Sequence, residues 1–167
     1  MDCQGVKRIN PLKGRCYMDP EERLWFIEQA VLCSLSVARR RDYLGFEDAS
    51  DPDRFVDLQI TDRGVNVELG LCEYTCRHLG LSAAASSWLL KDGWRRDGAN
   101  PWSCFSRRGL MSDGIAMARL VEAAYLRAYE LPIDFAVTAI FEADVPAHAL
   151  DRILSDRCTA AWRGFTV

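Results

Sequence analysis

The stretch RFVDLQITDRGVNVEL, residues 54–69, carries the clearest secondary-structure signal in this chain of 167 residues. Apolar and polar residues partly alternate over residues 54–60, and they alternate again over residues 65–69. Such alternation is typical of strands that bury one face. The sequence between them, residues 61–64, contains Asp and Gly and supplies a tight turn. The stretch therefore predicts an antiparallel β-hairpin.

A helix is predicted before the hairpin. Asp19 followed by Pro20 gives an N-cap acceptor and a residue pre-set for the first helical position, with Glu22 three residues after the cap. Apolar residues then recur at steps of three and four, which is typical of a helix with one buried face. The pattern predicts a helix over about residues 20–43. The residues of this stripe are Leu24, Ile27, Val31, Leu35 and Ala38.

Further helices and strands are predicted after the hairpin. The first is a short helix over residues 83–91, capped by Ser82 and ended by Asp92-Gly93, and a strand around residues 102–105 follows it. A long helix then starts at Ser112 or Asp113 and ends before Leu131-Pro132. The last two elements are a strand over residues 133–142 and a helix over residues 144–157. This order predicts an α+β domain with a mainly antiparallel sheet and helices packed on one face.

The chain length and composition predict one globular domain. Hydrophobic residues make up 49% of the sequence and charged residues 27%, as in globular proteins. Residues 1–18 contain Gly5, Pro11 and Gly14 without apolar periodicity, so we expect an irregular N-terminal arm there. Residues 19–167 should then form the single α+β domain.

Charge and cysteine content bound the location and the partners. The net charge of −3 gives no overall field that would attract nucleic acid or anionic lipid, and no apolar run approaches the roughly 20 residues of a membrane helix. Residues 1–13 lack the apolar centre of a secretory signal. The odd number of cysteines, 7, fits reduced thiols better than a disulfide framework. We expect a cytoplasmic protein without membrane association.

One cluster of potential metal ligands follows the hairpin. Cys72, Cys76 and His78 lie within seven residues, whereas a structural zinc site normally needs four ligands. Two interpretations stay open: a small metal-binding protein or enzyme that uses these three residues, or cysteines that pack as small hydrophobes. We favour the second, and predict no metal and no cofactor.

The sequence contains no complete catalytic signature. It lacks a GxSxG elbow, a phosphate-binding glycine loop, an HExxH helix and a GxGxxG turn. We therefore predict no catalytic residues and no enzyme activity.

Two arginine pairs, residues 95–96 and 107–108, flank the aromatic residues Trp94, Trp102 and Phe105. This combination is able to stack bases and hold phosphates. Acidic residues stand close to each pair in the sequence, and tryptophans at these spacings more often fill a core. Nucleic-acid binding is therefore not the favoured interpretation.

The middle of the chain, residues 55–135, resembles a known family. The matching segments are VNVEL at 65–69, LS at 81–82, LLKDGW at 89–94, NPW at 100–102 and ELP at 130–132. They are similar to the YbjN-like and type III secretion chaperone-like (TY-Chap) family, in which an LxxLGW element precedes a strand with Asn and an aromatic residue.

The resemblance implies a small α/β domain that binds an extended segment of a partner protein and often forms a homodimer. We therefore expect a non-enzymatic protein-binding module, such as a secretion chaperone, an adaptor or an immunity protein. Aromatic anchors dominate interface energies. The expected contact residues are Val67, Leu69, Trp94, Trp102 and Phe105. The alternative for each tryptophan is a place in the core.

Overall fold

The computed structural model describes residues 5–11, 17–37, 43–61, 63–70, 81–96, 103–110, 113–143 and 152. Within them the chain forms β1 (Gly5–Ile9), α1 (Pro20–Val37), β2 (Tyr43–Asp48), β3 (Asp51–Thr61), β4 (Gly64–Gly70), α2 (Ala83–Lys91), β5 (Arg95–Arg96), β6 (Ser103–Leu110), α3 (Gly114–Arg127) and β7 (Val137–Ala143). The strands form a seven-stranded sheet in the order β1-β7-β2-β3-β4-β6-β5. Every neighbouring pair is antiparallel. The predicted combination of helices with an antiparallel sheet is confirmed.

The predicted hairpin is formed by β3 and β4. Thr61 pairs with Gly64 at the turn, and the Thr61 hydroxyl donates a hydrogen bond of 2.8 Å to the Gly64 carbonyl. Gly64 has a φ of 116°, a conformation that residues with a Cβ rarely adopt. The turn at Gly64 and the alternation of apolar residues therefore favour the same pairing of β3 with β4.

α1 begins where the sequence predicts. The Asp19 carboxylate accepts hydrogen bonds from the backbone N–H groups of Glu21 and Glu22, at 2.9 and 3.3 Å. The predicted extent of residues 20–43 is too long, because Tyr43 already belongs to β2. The sequence analysis missed β2, since its only inward-facing apolar residues are Leu44 and Phe46 and Gly45 interrupts the pattern between them.

The first residues of the chain also differ from expectation. Within the segment predicted to be irregular, β1 pairs with β7 along its whole length. Ile9 alone supplies a core side chain from this strand, so the local sequence has almost no strand signal. Its partner strand lies at the far end of the described sequence, and no local pattern reveals such a pairing.

The short and long helices after the hairpin are confirmed. The Ser82 hydroxyl accepts a hydrogen bond from Ala85 N–H at the start of α2, and Gly93 follows the helix with a φ of 88°. Of the two proposed caps for α3, Asp113 accepts the hydrogen bond from Ala116 N–H. The helix predicted over residues 144–157 lies outside the described residues, apart from Arg152, which is helical.

One hydrophobic core lies between the sheet and the helices. Buried residues of α1, α2 and α3 belong to the same cluster as buried residues of six strands. The core residues of the four central strands are Val137, Ala139 and Phe141 of β7, Leu44 and Phe46 of β2, Val56 and Leu58 of β3, and Val65, Val67 and Leu69 of β4. The helices therefore cover the sheet face to which these side chains point.

Buried polar groups connect the helices to each other and to the sheet. The Arg23 side chain of α1 is 0% exposed and donates to Glu122 of α3 at 2.7 Å. It also donates to the carbonyls of Ile133 and Phe135, both at 2.9 Å. Its guanidinium carbon lies 3.8 Å from the centroid of the Phe135 ring. This one side chain thus joins α1, α3 and the segment that leads into β7.

Two tyrosines attach α3 and the residues after it to the strands. Tyr125 donates its hydroxyl hydrogen to the Phe46 carbonyl, and the Tyr129 hydroxyl lies 2.6 and 2.7 Å from the carbonyls of Phe55 and Gly70. Burial raises the pKa of both tyrosines well above its usual value, so both remain hydrogen-bond donors.

None of the helices in the described part of the chain has the length and apolar character required to cross a membrane.

Candidate functional site

The structure places four of the five predicted contact residues in the core. Val67 and Leu69 are 0% exposed, and Trp94 and Phe105 are 2% exposed. Trp102 lies outside the described residues. A buried side chain offers no surface to a partner, so the placement of Trp94 agrees with the alternative that it fills the core. The proposal below is built on other residues for this reason.

The candidate metal ligands Cys72, Cys76 and His78 lie outside the described residues. Among the residues that the structure does describe, no group of three or more His, Cys, Asp or Glu side chains is arranged to hold a metal ion.

The arginines next to the aromatic residues contact groups of this chain. Arg107 forms an ion pair of 3.1 Å with Asp92, whose carboxylate also accepts a hydrogen bond of 3.2 Å from Trp94 Nε1. The guanidinium carbon of Arg96 lies 5.6 Å from the centroid of the Phe105 ring. These contacts support the interpretation in which neighbouring acids balance the arginines.

The sheet face opposite the helices, here called the outer face, carries a different set of side chains. A row of directly paired residues crosses it from β7 to β4: Ile140, Gly45, Asp57 and Glu68. Carboxylates are concentrated on this face, since Glu47 of β2 and Glu142 of β7 lie in the rows beside it.

A cleft of about 380 Å³ lies on the outer face over β7, β2 and β3, and is here called the outer cleft. Its lining combines carboxylates with aromatic and aliphatic side chains. The lining residues are Tyr43, Gly45, Glu47, Pro52, Phe55, Asp57, Ile140 and Glu142.

Two glycines on the outer face make room for larger neighbours. A Cβ at Gly45 would lie 2.7 Å from Asp57 Oδ1, so the Asp57 carboxylate occupies the space above the Gly45 backbone. A Cβ at Gly70 would lie 1.8 Å from Phe55 Cε2, so the Phe55 ring lies over that glycine. Both glycines thus admit a side chain of β3 that lines the outer cleft.

The electrostatic environment of Asp57 is unfavourable to its charge. Burial, followed by the charges of Glu68, Glu142 and Glu47, raises the pKa of Asp57 from 3.8 to about 7. Within the described part of the chain, Asp57 accepts no hydrogen bond that would stabilise its ionised form. At neutral pH this carboxyl group is therefore divided between its protonated and ionised forms.

One basic residue offsets part of this charge. Arg8 of β1 donates two hydrogen bonds to the Glu47 carboxylate, at 2.6 and 3.2 Å. Arg8 is paired with Ile140 in the β1–β7 ladder, so the ion pair spans from the edge of the sheet to β2. This contact offsets part of the charge of Glu47, whereas none of the described basic residues forms an ion pair with Asp57.

Sequence reasoning did not identify the outer cleft, although one signal was present. A turn over residues 61–64 places Asp57 directly opposite Glu68 in the hairpin.

Comparison of the chain with protein-family models, with curated proteins and with solved structures found no match.

Proposed function

We propose that this chain is a non-enzymatic, secretion-chaperone-like protein-binding domain that recognises a partner polypeptide on its outer face. The observation that supports the proposal most strongly is the outer cleft, because it combines concave shape, half-exposed apolar walls and charge on the sheet face opposite the helices. Interfaces bury such aromatic and aliphatic side chains within a polar rim. A long polypeptide segment is the ligand that is able to follow a surface spread over three strands.

The outer face also has the rigidity that a recognition surface needs. β7, β2 and β3 occupy central positions of the sheet, each paired on both sides. Buried hydrogen bonds from Tyr125 and Tyr129 fix the backbone of β2 and β3 from the helical side. A surface held in this way loses little conformational entropy when a partner binds.

Site-specific photo-crosslinking tests the proposal. A photoreactive amino acid replaces Tyr43, which is 39% exposed and lines the outer cleft, and in a second variant it replaces Leu90, which is 59% exposed on α2. Both variants are expressed in the source organism and irradiated. We expect a covalent adduct with a specific protein from position 43 and none from the matched position 90.

The result also separates a foreign partner from a homodimer. An adduct of twice the mass of the chain from position 43 identifies a second copy as the partner polypeptide, and sedimentation of the purified chain then gives a dimer. Equal labelling from both positions, or a specific adduct only from position 90, contradicts the proposed surface. Turnover of a small molecule without any adduct contradicts the proposed class of function.

A further inference from the structure

The chemistry of the outer cleft specifies the kind of side chain that it accepts. Among the eight described residues that line it are the carboxylates Glu47, Asp57 and Glu142, and Glu68 stands directly opposite Asp57 across the β3–β4 ladder. Like charges at opposite positions of neighbouring strands destabilise a sheet. The chain nevertheless holds these groups together at the centre of the sheet rather than at its margin.

Asp57 is the member of this group whose carboxylate packs against the backbone of the sheet, at Gly45. Arg8 pairs with Glu47, whereas the Asp57 carboxyl group lies partly buried over the Gly45 backbone with no hydrogen bond from the described residues. A buried carboxylate without a donor costs free energy that a positively charged ligand would recover. A cation with N–H donors is the kind of ligand that this carboxylate favours.

The other side chains that line the outer cleft are apolar, and they suit a ligand with an alkyl stem or a group that stacks on aromatic rings. Tyr43 and Phe55 supply two rings, and Pro52 and Ile140 supply aliphatic surface. A cation above an aromatic face is stabilised by the ring quadrupole, and a long methylene stem packs well on apolar walls. A bare metal ion uses neither feature.

We propose that the outer cleft binds an arginine or lysine side chain of the partner polypeptide, with the head group on the Asp57 carboxylate and the stem between Tyr43, Phe55 and Ile140. The inference rests on the proposed function, because it names the residue type through which the partner docks. The volume of about 380 Å³ accommodates a single long side chain with part of its backbone. The planar guanidinium of arginine is also able to stack on the rings.

The first test uses single amino-acid derivatives and the whole chain labelled with ¹⁵N. The probe is N-acetyl-arginine amide, and the matched probe is N-acetyl-citrulline amide, which has nearly the same shape without the charge. A hydrogen bond between charged groups is stronger than a neutral one by enough to give about a tenfold difference in affinity. We expect the arginine derivative to shift the amide signals of β2, β3 and β7 at about tenfold lower concentration than the citrulline derivative.

The variant Asp57→Asn removes the charge and keeps the size of the side chain. We expect it to lose the preference for the arginine derivative, while the matched variant Asp53→Asn, at an exposed position of the same strand, retains the preference. Because the substitution removes an unfavourable charge, the variant should fold, and an unchanged amide spectrum outside the cleft verifies this. Equal binding of the two probes, or an unaltered preference in Asp57→Asn, overturns the proposal.

The pH dependence gives an independent readout. Asp57 must be ionised to receive the cation, and the charged groups that face it are Glu68, Glu142 and Glu47, the last paired with Arg8. Binding of the arginine derivative should therefore strengthen from pH 6 to pH 8, and that of citrulline should not. Parallel pH profiles for the two probes count against the proposal.

Failure of this inference and failure of the proposed function give different results. If the partner still crosslinks through position 43 but tolerates Asp57→Asn, and no arginine or lysine of the partner is required, then protein binding stands and the cation pocket is refuted. If the arginine derivative binds as expected but no polypeptide crosslinks, then the cleft recognises cations and the protein-binding function is refuted.

Discussion

Asp57 and Glu68 oppose each other in the β3–β4 ladder, where directly facing Cβ atoms are about 5 Å apart. Two carboxylates at this separation on a partly buried surface do not both ionise readily. Burial, and after it the charge of Glu68, therefore raises the pKa of Asp57 to about 7. Asp53 lies on the same strand and is exposed to solvent.

The variant Asp57→Asn should change the pH dependence of stability. The pKa of Asp57 is about 7 in the folded chain, above the value of 3.8 that applies to the unfolded chain. The folded state therefore holds an additional proton between these values, and the free energy of unfolding falls as the pH rises from 3.8 to 7. Asn carries no charge, so the variant should be the more stable form at pH 8, by at most about 4 kcal/mol.

Urea denaturation at pH 5 and pH 8 measures this effect. The difference between the variant and the natural chain should be larger at pH 8 than at pH 5. Asp53→Asn is the control, and its stability should follow the natural chain at both values. A constant difference across this range would mean that Asp57 is ionised throughout.

At the scale of secondary-structure elements, the contact between α1 and α3 depends on a buried ion pair. Arg23 is fully buried and uses its terminal nitrogens on Glu122 and two backbone carbonyls, while its Nε has no partner among the described residues. A buried pair of this kind contributes little net stability, but the loss of one member leaves the other charge uncompensated.

The variant Glu122→Leu should therefore destabilise the chain by about 3 kcal/mol, because it leaves the Arg23 guanidinium buried without its counter-charge. The double variant Arg23→Met with Glu122→Leu should lose less than the sum of the two single variants. Thermal unfolding of the four forms measures the coupling energy, for which we expect more than 1 kcal/mol. Arg119→Met, at an exposed position of α3, is the control and should change stability by less than about 0.5 kcal/mol. Additive effects of the two substitutions would show that the pair is not coupled.

Elements with local signals are the ones that the sequence predicts correctly. α2 and α3 have caps at Ser82 and Asp113, and the hairpin has its turn, so residues close in sequence determine each of them. β1 lacks such a signal because it pairs with β7, which is distant in sequence. β2 pairs with the adjacent β3 as well as with β7, but its two inward-facing apolar residues are too few to give a strand pattern. The same division applies to the outer cleft. The β3–β4 register predicts that Asp57 faces Glu68. The placement of Glu47 follows from the pairing of β2 with β3 and β7, and that of Glu142 from the pairing of β7 with β2.

At the scale of the whole molecule, the described helices and most strands share one hydrophobic core. Trp94 lies in this core near α2, while Phe26 of α1 and Phe141 of β7 belong to the same cluster. A domain with a single continuous core is expected to unfold in one cooperative step. The separate hairpins and helices therefore do not form independent folding units.

Denaturation followed by two probes tests this cooperativity. Tryptophan fluorescence reports on the surroundings of the five tryptophans, among them Trp94 in the core, and far-ultraviolet circular dichroism reports on all helices and strands. We expect both transitions to have the same midpoint. The variant Trp94→Phe should lower the free energy of unfolding by about 2 kcal/mol and shift both transitions together. A fluorescence transition at lower denaturant than the dichroism transition would contradict a single unit.

The sheet ends on one side at β5, which consists of two exposed arginines. If another strand were added there from a second copy of the chain, two pairs of guanidinium groups would meet in a solvent-poor seam. Their repulsion opposes runaway polymerisation of the sheet into fibrils. We therefore expect this edge of the described sheet to resist the addition of a strand from a second copy of the chain.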